Sequence, residues 1–172
     1  RRLDVLDINF GCPVKKVVQK CGGSALLADV PLLDRIIRAV IAGSAVPVTA
    51  KIRTGWDEDK VNYDEVGLLL QERGCAWVTM HGRTRAQKFT GQANWDRIAH
   101  LVEVLDIPVI GNGDVVDGDS YRRLVQHTRC HGVMIGRGAM GNPWIFQEMR
   151  AVDEGVPAAA VTFAAMCAVT AD

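Results

Sequence analysis

Short apolar runs alternate with longer amphipathic segments along most of the chain. The runs have the length and the β-branched composition of strands, and they lie at Leu3–Asn9, Val46–Ile52, Ala76–Met80, Pro108–Gly111 and His131–Ile135. Segments with helical spacing of apolar residues follow them, at Leu32–Ala42, Asn62–Arg73, Trp95–Val104, Asp117–Gln126 and Asn142–Ala151. Because the strands are short and apolar on both faces, the pattern predicts a parallel sheet covered by helices.

Turn and cap residues mark several of these boundaries. Asp29 stands where an N-cap is expected, and Pro31 follows at the first turn of the helix. Gly74 follows the second helical segment as a C-cap. These positions support the helix assignments independently of the apolar spacing.

Repeated strand–helix units fit either a (β/α) barrel or a doubly wound sheet. Residues able to do chemistry follow every strand here, whereas a doubly wound sheet would concentrate them at one switch point. A full barrel has eight strands, and this sequence supplies about five of them. We therefore expect an α/β fold of the (β/α)8 TIM-barrel type, with the remaining strands either missing from the sequence or supplied by another chain. Residues 1–150 would form the C-terminal part of the barrel, and residues 151–172 would begin a helical tail or a C-terminal helical domain.

Composition excludes few classes of function. The 172 residues are 48% hydrophobic and 23% charged, which is ordinary for a globular protein. Twenty basic and twenty acidic residues leave no net charge, so only a local patch would favour nucleic acid. No apolar run is long enough to cross a membrane. The five cysteines lack CxxC spacing, which argues against a disulfide framework or a metal site and favours reduced thiols in the cytoplasm.

Two strand ends carry the sharpest chemical signals. Cys12 lies on a turn just after the first strand, where Gly11 permits a tight path and Pro13 stiffens it. We expect this turn to present the thiol rather than bury it. Lys51 lies inside an apolar strand, where a cation is costly without a partner, so we expect it to be functional.

The other strand ends suggest an anion site. Parallel strands place their carboxyl ends on one rim, which would gather the basic residues Lys51, Arg53, His81, Arg83 and Arg137. The turns Gly111–Gly113 and Gly136–Gly138 free backbone N–H groups near helix starts, and barrels often bind phosphate after their last two strands. The rim is therefore predicted to bind an anion such as a phosphate.

Five linked motifs, in their order and rough spacing, resemble those of the tRNA-dihydrouridine synthases, namely Asp7–Pro13, Lys51–Trp56, His81–Thr84, Gly111–Asp114 and Gly136–Gly138. Gly141–Phe146 is also similar to the bacterial branch of that family. The resemblance covers about Leu3 to Met149 and implies an FMN-binding barrel followed by a small helical domain. Members reduce the C5–C6 double bond of uridines in tRNA, giving dihydrouridine, and use NADPH to reduce the flavin.

The resemblance also implies roles for individual residues. Cys12 would be the catalytic acid that gives a proton to C5, while hydride passes from flavin N5 to C6. Lys51 would contact the flavin ring and His81 would lie beside the cofactor. The ribityl phosphate would be held by Asn112, Gly113, Asp114, Gly136 and Arg137. The uracil or its phosphate would be faced by Asn9 and Arg83.

Two alternatives remain open at this stage. The Pro-Met-x-Gly turn and the glutamine strand that open the family's barrel have no counterpart in this sequence. The first alternative is another FMN-dependent barrel oxidoreductase similar to dihydroorotate dehydrogenase, since such enzymes also place a lysine on a strand and a phosphate site on the last two loops. The second is an inactive barrel fragment that self-associates through open sheet edges. The Gly-Cys-Pro turn and the His-Gly-Arg-Thr motif favour the tRNA-dihydrouridine synthases over the dihydroorotate dehydrogenase-like alternative.

Overall fold

The computed structural model describes residues 3–158 and has an α/β architecture built on one parallel sheet. Its five strands are β1 (Leu6–Asn9), β2 (Val48–Arg53), β3 (Val78–His81), β4 (Val109–Asn112) and β5 (Gly132–Met134). They lie side by side in chain order, and each pairs in parallel with the next. The carboxyl ends of all five strands therefore meet at one edge, as the sequence predicts for part of a barrel.

Helices connect the strands across one face of the sheet. They are α1 (Lys15–Val18), α2 (Val30–Gly43), α3 (Tyr63–Arg73), α4 (Trp95–Val104), α5 (Gly118–Thr128) and α6 (Ile145–Glu154), with short 3-10 helices at Gly23–Ala28 and Arg137–Ala139. The predicted caps are confirmed, since the Asp29 carboxylate accepts a 3.0 Å hydrogen bond from Leu32 N. Gly74 ends α3 in the left-handed conformation, at φ +94°.

The strands are uniformly apolar on one face only, because the other face carries mostly polar side chains together with Ile110 and Met134. The expectation of strands apolar on both faces was therefore wrong. Side chains alternate along each strand, and the helix-facing positions Ala50, Ile52, Val78, Met80 and Val109 are fully buried with the helices. The opposite face is mainly polar, and the register sets Lys51 beside Asn9 and Thr79. Polar groups satisfy one another there, as where Thr49 Oγ1 donates to Asp7 Oδ1 over 2.7 Å. The face of the sheet opposite the helices is therefore mainly polar.

The sheet stays open within residues 3–158, because β1 and β5 each pair with only one strand there. Self-association through these edges stays a prediction. The helix α6 ends at Glu154, and most of the predicted tail 151–172 lies outside the described residues, so the proposed domain boundary is untested. No helix among the described residues is both long and apolar enough to cross a membrane.

Candidate active site

A cavity of about 570 Å³ opens at the carboxyl edge of the sheet, and residues at or just after the ends of all five strands contribute to its wall. Nine of the ten site residues suggested by the sequence line it: Asn9, Cys12, Lys51, His81, Asn112, Gly113, Asp114, Gly136 and Arg137. Arg83 does not. The fold thus brings together residues that are more than 120 positions apart in the chain.

The turn that carries Cys12 is held by hydrogen bonds on both sides of the cysteine. Gly11 N donates to Asn9 Oδ1 over 2.9 Å. The Cys12 carbonyl accepts from Ser24 N at 3.0 Å and from Ser24 Oγ at 2.9 Å. Gly23 packs against the cysteine at φ +57°, where an added Cβ would lie 2.9 Å from Cys12 Cβ. The thiol is therefore half-buried on a rigid part of the cavity wall.

The side-chain amide of Asn9 has its oxygen bonded within the protein and its nitrogen facing no acceptor among the described residues. Its oxygen accepts from Gly11 N, and that hydrogen bond fixes which end of the amide faces the turn. Its Nδ2 has no acceptor among the described residues, and Asn9 lines the cavity. Asn9 is therefore oriented to donate to a carbonyl oxygen of a bound molecule.

Lys51 is a half-buried cation with no ion-pair partner in the described part of the chain. Burial, followed by repulsion from Arg53, lowers its pKa from 10.5 to about 8. A positive charge held at this cost suits a site that receives an anion or an electron-rich ring. The prediction that Lys51 is functional has this electrostatic support.

His81 is neutral in this site. Burial, followed by the charges of Arg53, Lys51 and Arg83, lowers its pKa from 6.5 to about 3. Arg83 Nη1 lies 3.3 Å from His81 Nε2 and is always a donor, so Nε2 accepts and the ring proton resides on Nδ1. His81 therefore adds no positive charge to the rim.

Arg83 is 2% exposed, and all three nitrogens of its guanidinium group contact protein acceptors. Nη1 and Nη2 each lie 2.8 Å from a carboxylate oxygen of Asp114, in a paired arrangement. The other acceptors are Thr90 O, Gly91 O and His81 Nε2. Burial acts to raise the pKa of Asp114, but the hydrogen bonds from Arg83 and from Ala93 N outweigh it and hold that pKa below its usual value. The predicted contact between Arg83 and the substrate is not favoured by this geometry.

The rim is consequently less basic than its five basic residues suggest. His81 is neutral, and Asp114 compensates the charge of Arg83. Lys51 and Arg53, which line the cavity, make no ion pair in the described part of the chain. Arg137 Nη2 has one long contact, at 3.8 Å from the Asp114 carboxylate that already pairs with Arg83. Each of these lies within a wall that contains a single carboxylate, that of Asp114.

Two glycine turns form a cradle beside these cations. The backbone N–H groups of Gly113, Asp114 and Gly136 have no acceptor in the described part of the chain. Gly113 adopts φ +124° and packs on His81, where an added Cβ would lie 2.9 Å from the ring. At Gly138 an added Cβ would lie 2.3 Å from Val115 O, so the two turns are in direct contact. Unpaired N–H groups clustered in this way suit a phosphate.

Sequence reasoning missed Phe89, which lines the cavity although it is 54% exposed. Two guanidinium groups lie close to its ring, with Arg137 Cζ at 4.9 Å and Arg53 Cζ at 5.6 Å from the ring centre. The residue follows β3 in an irregular segment. A lone aromatic residue in a polar loop was the one signal available, and it carries no periodicity.

Comparison with known proteins shows the family of this chain. The family model described as dihydrouridine synthase matches residues 1–171. The chain belongs to the dihydrouridine synthase family. It is 47% identical over 145 residues to tRNA-dihydrouridine synthase B of Pseudomonas syringae pv. tomato, covering 84% of this chain and 43% of that protein. The same enzyme of Pasteurella multocida is 43% identical over 151 residues, covering 88% of this chain and 46% of that protein. The chain thus spans less than half the length of these curated relatives.

Solved structures support the barrel fold. Muconate lactonizing enzyme from Mycobacterium smegmatis superposes with a TM-score of 0.54 at 16% identity, over 88% of this chain and 42% of that one. L-Talarate dehydratase from Polaromonas sp. JS666 gives a TM-score of 0.51 at 16% identity, over 88% of this chain and 35% of that one. Both are TIM-barrel enzymes, so the partial-barrel architecture predicted from the sequence is confirmed.

Proposed function

We propose that this chain supplies the catalytic rim of an enzyme that reduces uridine in tRNA to 5,6-dihydrouridine. Membership in the dihydrouridine synthase family supports this reaction, as do relatives named tRNA-dihydrouridine synthase B. The observation that carries the proposal is the rigid turn that holds Cys12 in the wall of a cavity rich in hydrogen-bond donors. The match covers 43% and 46% of the two relatives described above.

FMN is the cofactor that fits the donor set. The N–H groups of Gly113, Asp114 and Gly136, together with the Arg137 guanidinium, would hold its phosphate. The Lys51 ammonium would lie against the electron-rich ring, and the Nδ1–H of His81 adds a neutral donor. Asn112 Nδ2 is committed to Met134 O at 2.7 Å, which leaves its oxygen to accept from a ribityl hydroxyl. When bound, FMN supplies the hydride that the uracil ring receives at C6, and NADPH reduces the oxidised flavin again.

Cys12 would provide the proton in this reaction. Addition of hydride at C6 places negative charge on C5 and the C4 carbonyl, and an acid held beside C5 removes that charge. Asn9 Nδ2 would donate to a uracil carbonyl, which orients the ring and stabilises the same developing charge. The target uridine must leave its base stack to enter the cavity.

The test uses the full-length flavoprotein that contains this chain. Replacing Cys12 by alanine should leave bound FMN and its reduction by NADPH unchanged, because the side chain carries no cofactor contact in this proposal. Dihydrouridine formation in unmodified tRNA should fall by about 10²- to 10⁴-fold, the usual contribution of a general acid. The matched control is Cys21→Ala, since Cys21 is an exposed cysteine outside the cavity. Turnover that survives Cys12→Ala unchanged would remove Cys12 from this role.

A wild-type enzyme that oxidises NADPH but leaves tRNA uridines intact would contradict the proposed reaction itself. Oxidation or reduction of dihydroorotate by that enzyme would instead support the dihydroorotate dehydrogenase-like alternative.

A further inference from the structure

Arg53 is the last residue of β2 and a buried cation beside the cavity, with 3% of its surface exposed. Its hydrogen bonds all go to main-chain carbonyls. Nε donates to Gly11 O over 2.9 Å, and Nη1 donates to Thr84 O over 2.9 Å and to Lys88 O over 2.8 Å. It makes no ion pair with a carboxylate in the described part of the chain.

These three carbonyls belong to two different loops. Gly11 directly precedes Cys12 on the loop after β1, whereas Thr84 and Lys88 lie on the loop after β3. The guanidinium therefore ties the cysteine turn to a loop that is more than 70 residues away in the chain. An arginine suits this arrangement because its planar fork carries donors at fixed angles, and a lysine ammonium cannot span the same three acceptors.

The remaining bonds of the cysteine turn are short-range or come from one serine. Asn9 holds Gly11 N and Ser24 holds the Cys12 carbonyl, so Arg53 supplies the one side-chain hydrogen bond on the Gly11 carbonyl. Loss of that bond would leave a carbonyl without its partner and free the peptide that precedes the thiol. We propose that Arg53 is a positioning residue that fixes the Cys12 thiol for proton transfer by clamping the loops after β1 and β3 together.

This inference rests on the proposed function, because it concerns the step in which Cys12 acts. A competing role for Arg53 is direct contact with the substrate, since the residue also lines the cavity. The two roles predict different kinetics. A positioning residue lowers the rate of the chemical step and leaves tRNA affinity unchanged, whereas a phosphate contact raises KM and changes its dependence on salt.

The experiment compares Arg53→Gln and Arg53→Lys in the full-length flavoprotein. Both should bind FMN and accept electrons from NADPH at the wild-type rate. Reoxidation of the reduced enzyme by tRNA in a single turnover should slow by about 100-fold, the cost expected for a misplacement near 1 Å, with KM for tRNA unchanged. The control is Arg97→Gln, which removes an arginine of α4 that hydrogen-bonds to Thr54 and Glu58, none of which lines the cavity. It should leave single-turnover reoxidation at the wild-type rate.

A double-mutant cycle makes the test decisive. In a Cys12→Ala background, Arg53→Gln should cause no further loss of the residual rate, because Arg53 acts through Cys12. A further loss there, or a raised KM in the single variant, would overturn the proposal in favour of substrate contact. If the Arg53 variants fail to fold, Ser24→Ala tests the same principle by removing one bond to the Cys12 carbonyl. It should slow reoxidation by about 3- to 10-fold, and a wild-type rate would count against positioning of the turn.

Failure of this inference is distinguishable from failure of the proposed function. If the wild-type enzyme makes dihydrouridine and the Arg53 variants do so at the same rate, only the positioning role of Arg53 is rejected. Wild-type enzyme that makes none would reject the reaction.

Discussion

The charge of Lys51 should lower the free energy of unfolding of the protein, and the size of this effect follows from the pKa of the side chain. Its side chain is half-buried without an ion-pair partner among the described residues, and burial is the main reason that its pKa falls from 10.5 to about 8. At pH 7 the native state holds this proton less tightly than the unfolded chain does. The difference corresponds to at most about 3 kcal/mol of lost stability.

The pH dependence follows from the same two values. Between pH 8 and pH 10.5 the unfolded chain binds the lysine proton and the native state does not, so stability rises with pH across that range. Between pH 7 and pH 9.5 the native protein should regain about 2 kcal/mol relative to a variant without this lysine. Bound anions would oppose the shift, so the full-length protein is best measured without its flavin.

The variant Lys51→Met keeps the length of the side chain and removes its charge. In urea denaturation at pH 7 it should be more stable than wild type by up to about 3 kcal/mol, and the advantage should shrink as the pH is raised to 9.5. The matched control is Lys60→Met, because Lys60 is exposed on the loop after β2. Equal stability of Lys51→Met and wild type at both pH values would refute the argument that Lys51 is a costly buried cation.

Three further predictions concern the cofactor site. Arg137→Ala should raise the dissociation constant of FMN by about 10-fold or more, measured by flavin fluorescence titration, because a charged phosphate contact is lost. Gly138→Ala should abolish FMN retention, since its Cβ would lie 2.3 Å from Val115 O and force the two phosphate turns apart; a normal flavin spectrum would contradict this. His81→Gln should change kcat without moving the apparent pKa values of its pH profile between pH 5 and 9, because the pKa of His81 is about 3; a shifted profile would show that His81 titrates in that range.

The sequence located the strands and the chemistry at their ends because both depend on local patterns. Lys51 was predicted to be functional from its place inside an apolar strand; the structure puts it in the cavity wall, and its role stays a prediction. Gly113 followed from the rule that turns after late barrel strands bind phosphate. Motifs of this kind are contiguous in sequence, so they are recognisable without knowledge of the fold.

The roles of the arginines were beyond the sequence because they depend on long-range partners. Arg53 and Arg83 both follow or end strands and both carry the same charge, so nothing in the sequence separates them from an exposed basic rim. Arg83 is saturated by Asp114, which lies 31 residues away, and by carbonyls of its own loop. Only the folded geometry shows which donors are already used, and that decides which residue is able to meet a ligand.

The hydrogen-bond donors of the cavity wall that are not already used within the protein define which ligands the cavity accepts. Its single carboxylate, Asp114, is consumed by Arg83, so no free carboxylate faces a ligand from the described wall. The available groups are mainly donors: the Lys51 ammonium, Asn9 Nδ2, the Arg137 guanidinium and the N–H groups of the glycine turns. Such a wall repels cations and favours molecules that present phosphate and ring carbonyl oxygens. A flavin phosphate and a uracil base share these features, and one polar sheet face would thus hold both the cofactor and the substrate of the proposed reaction.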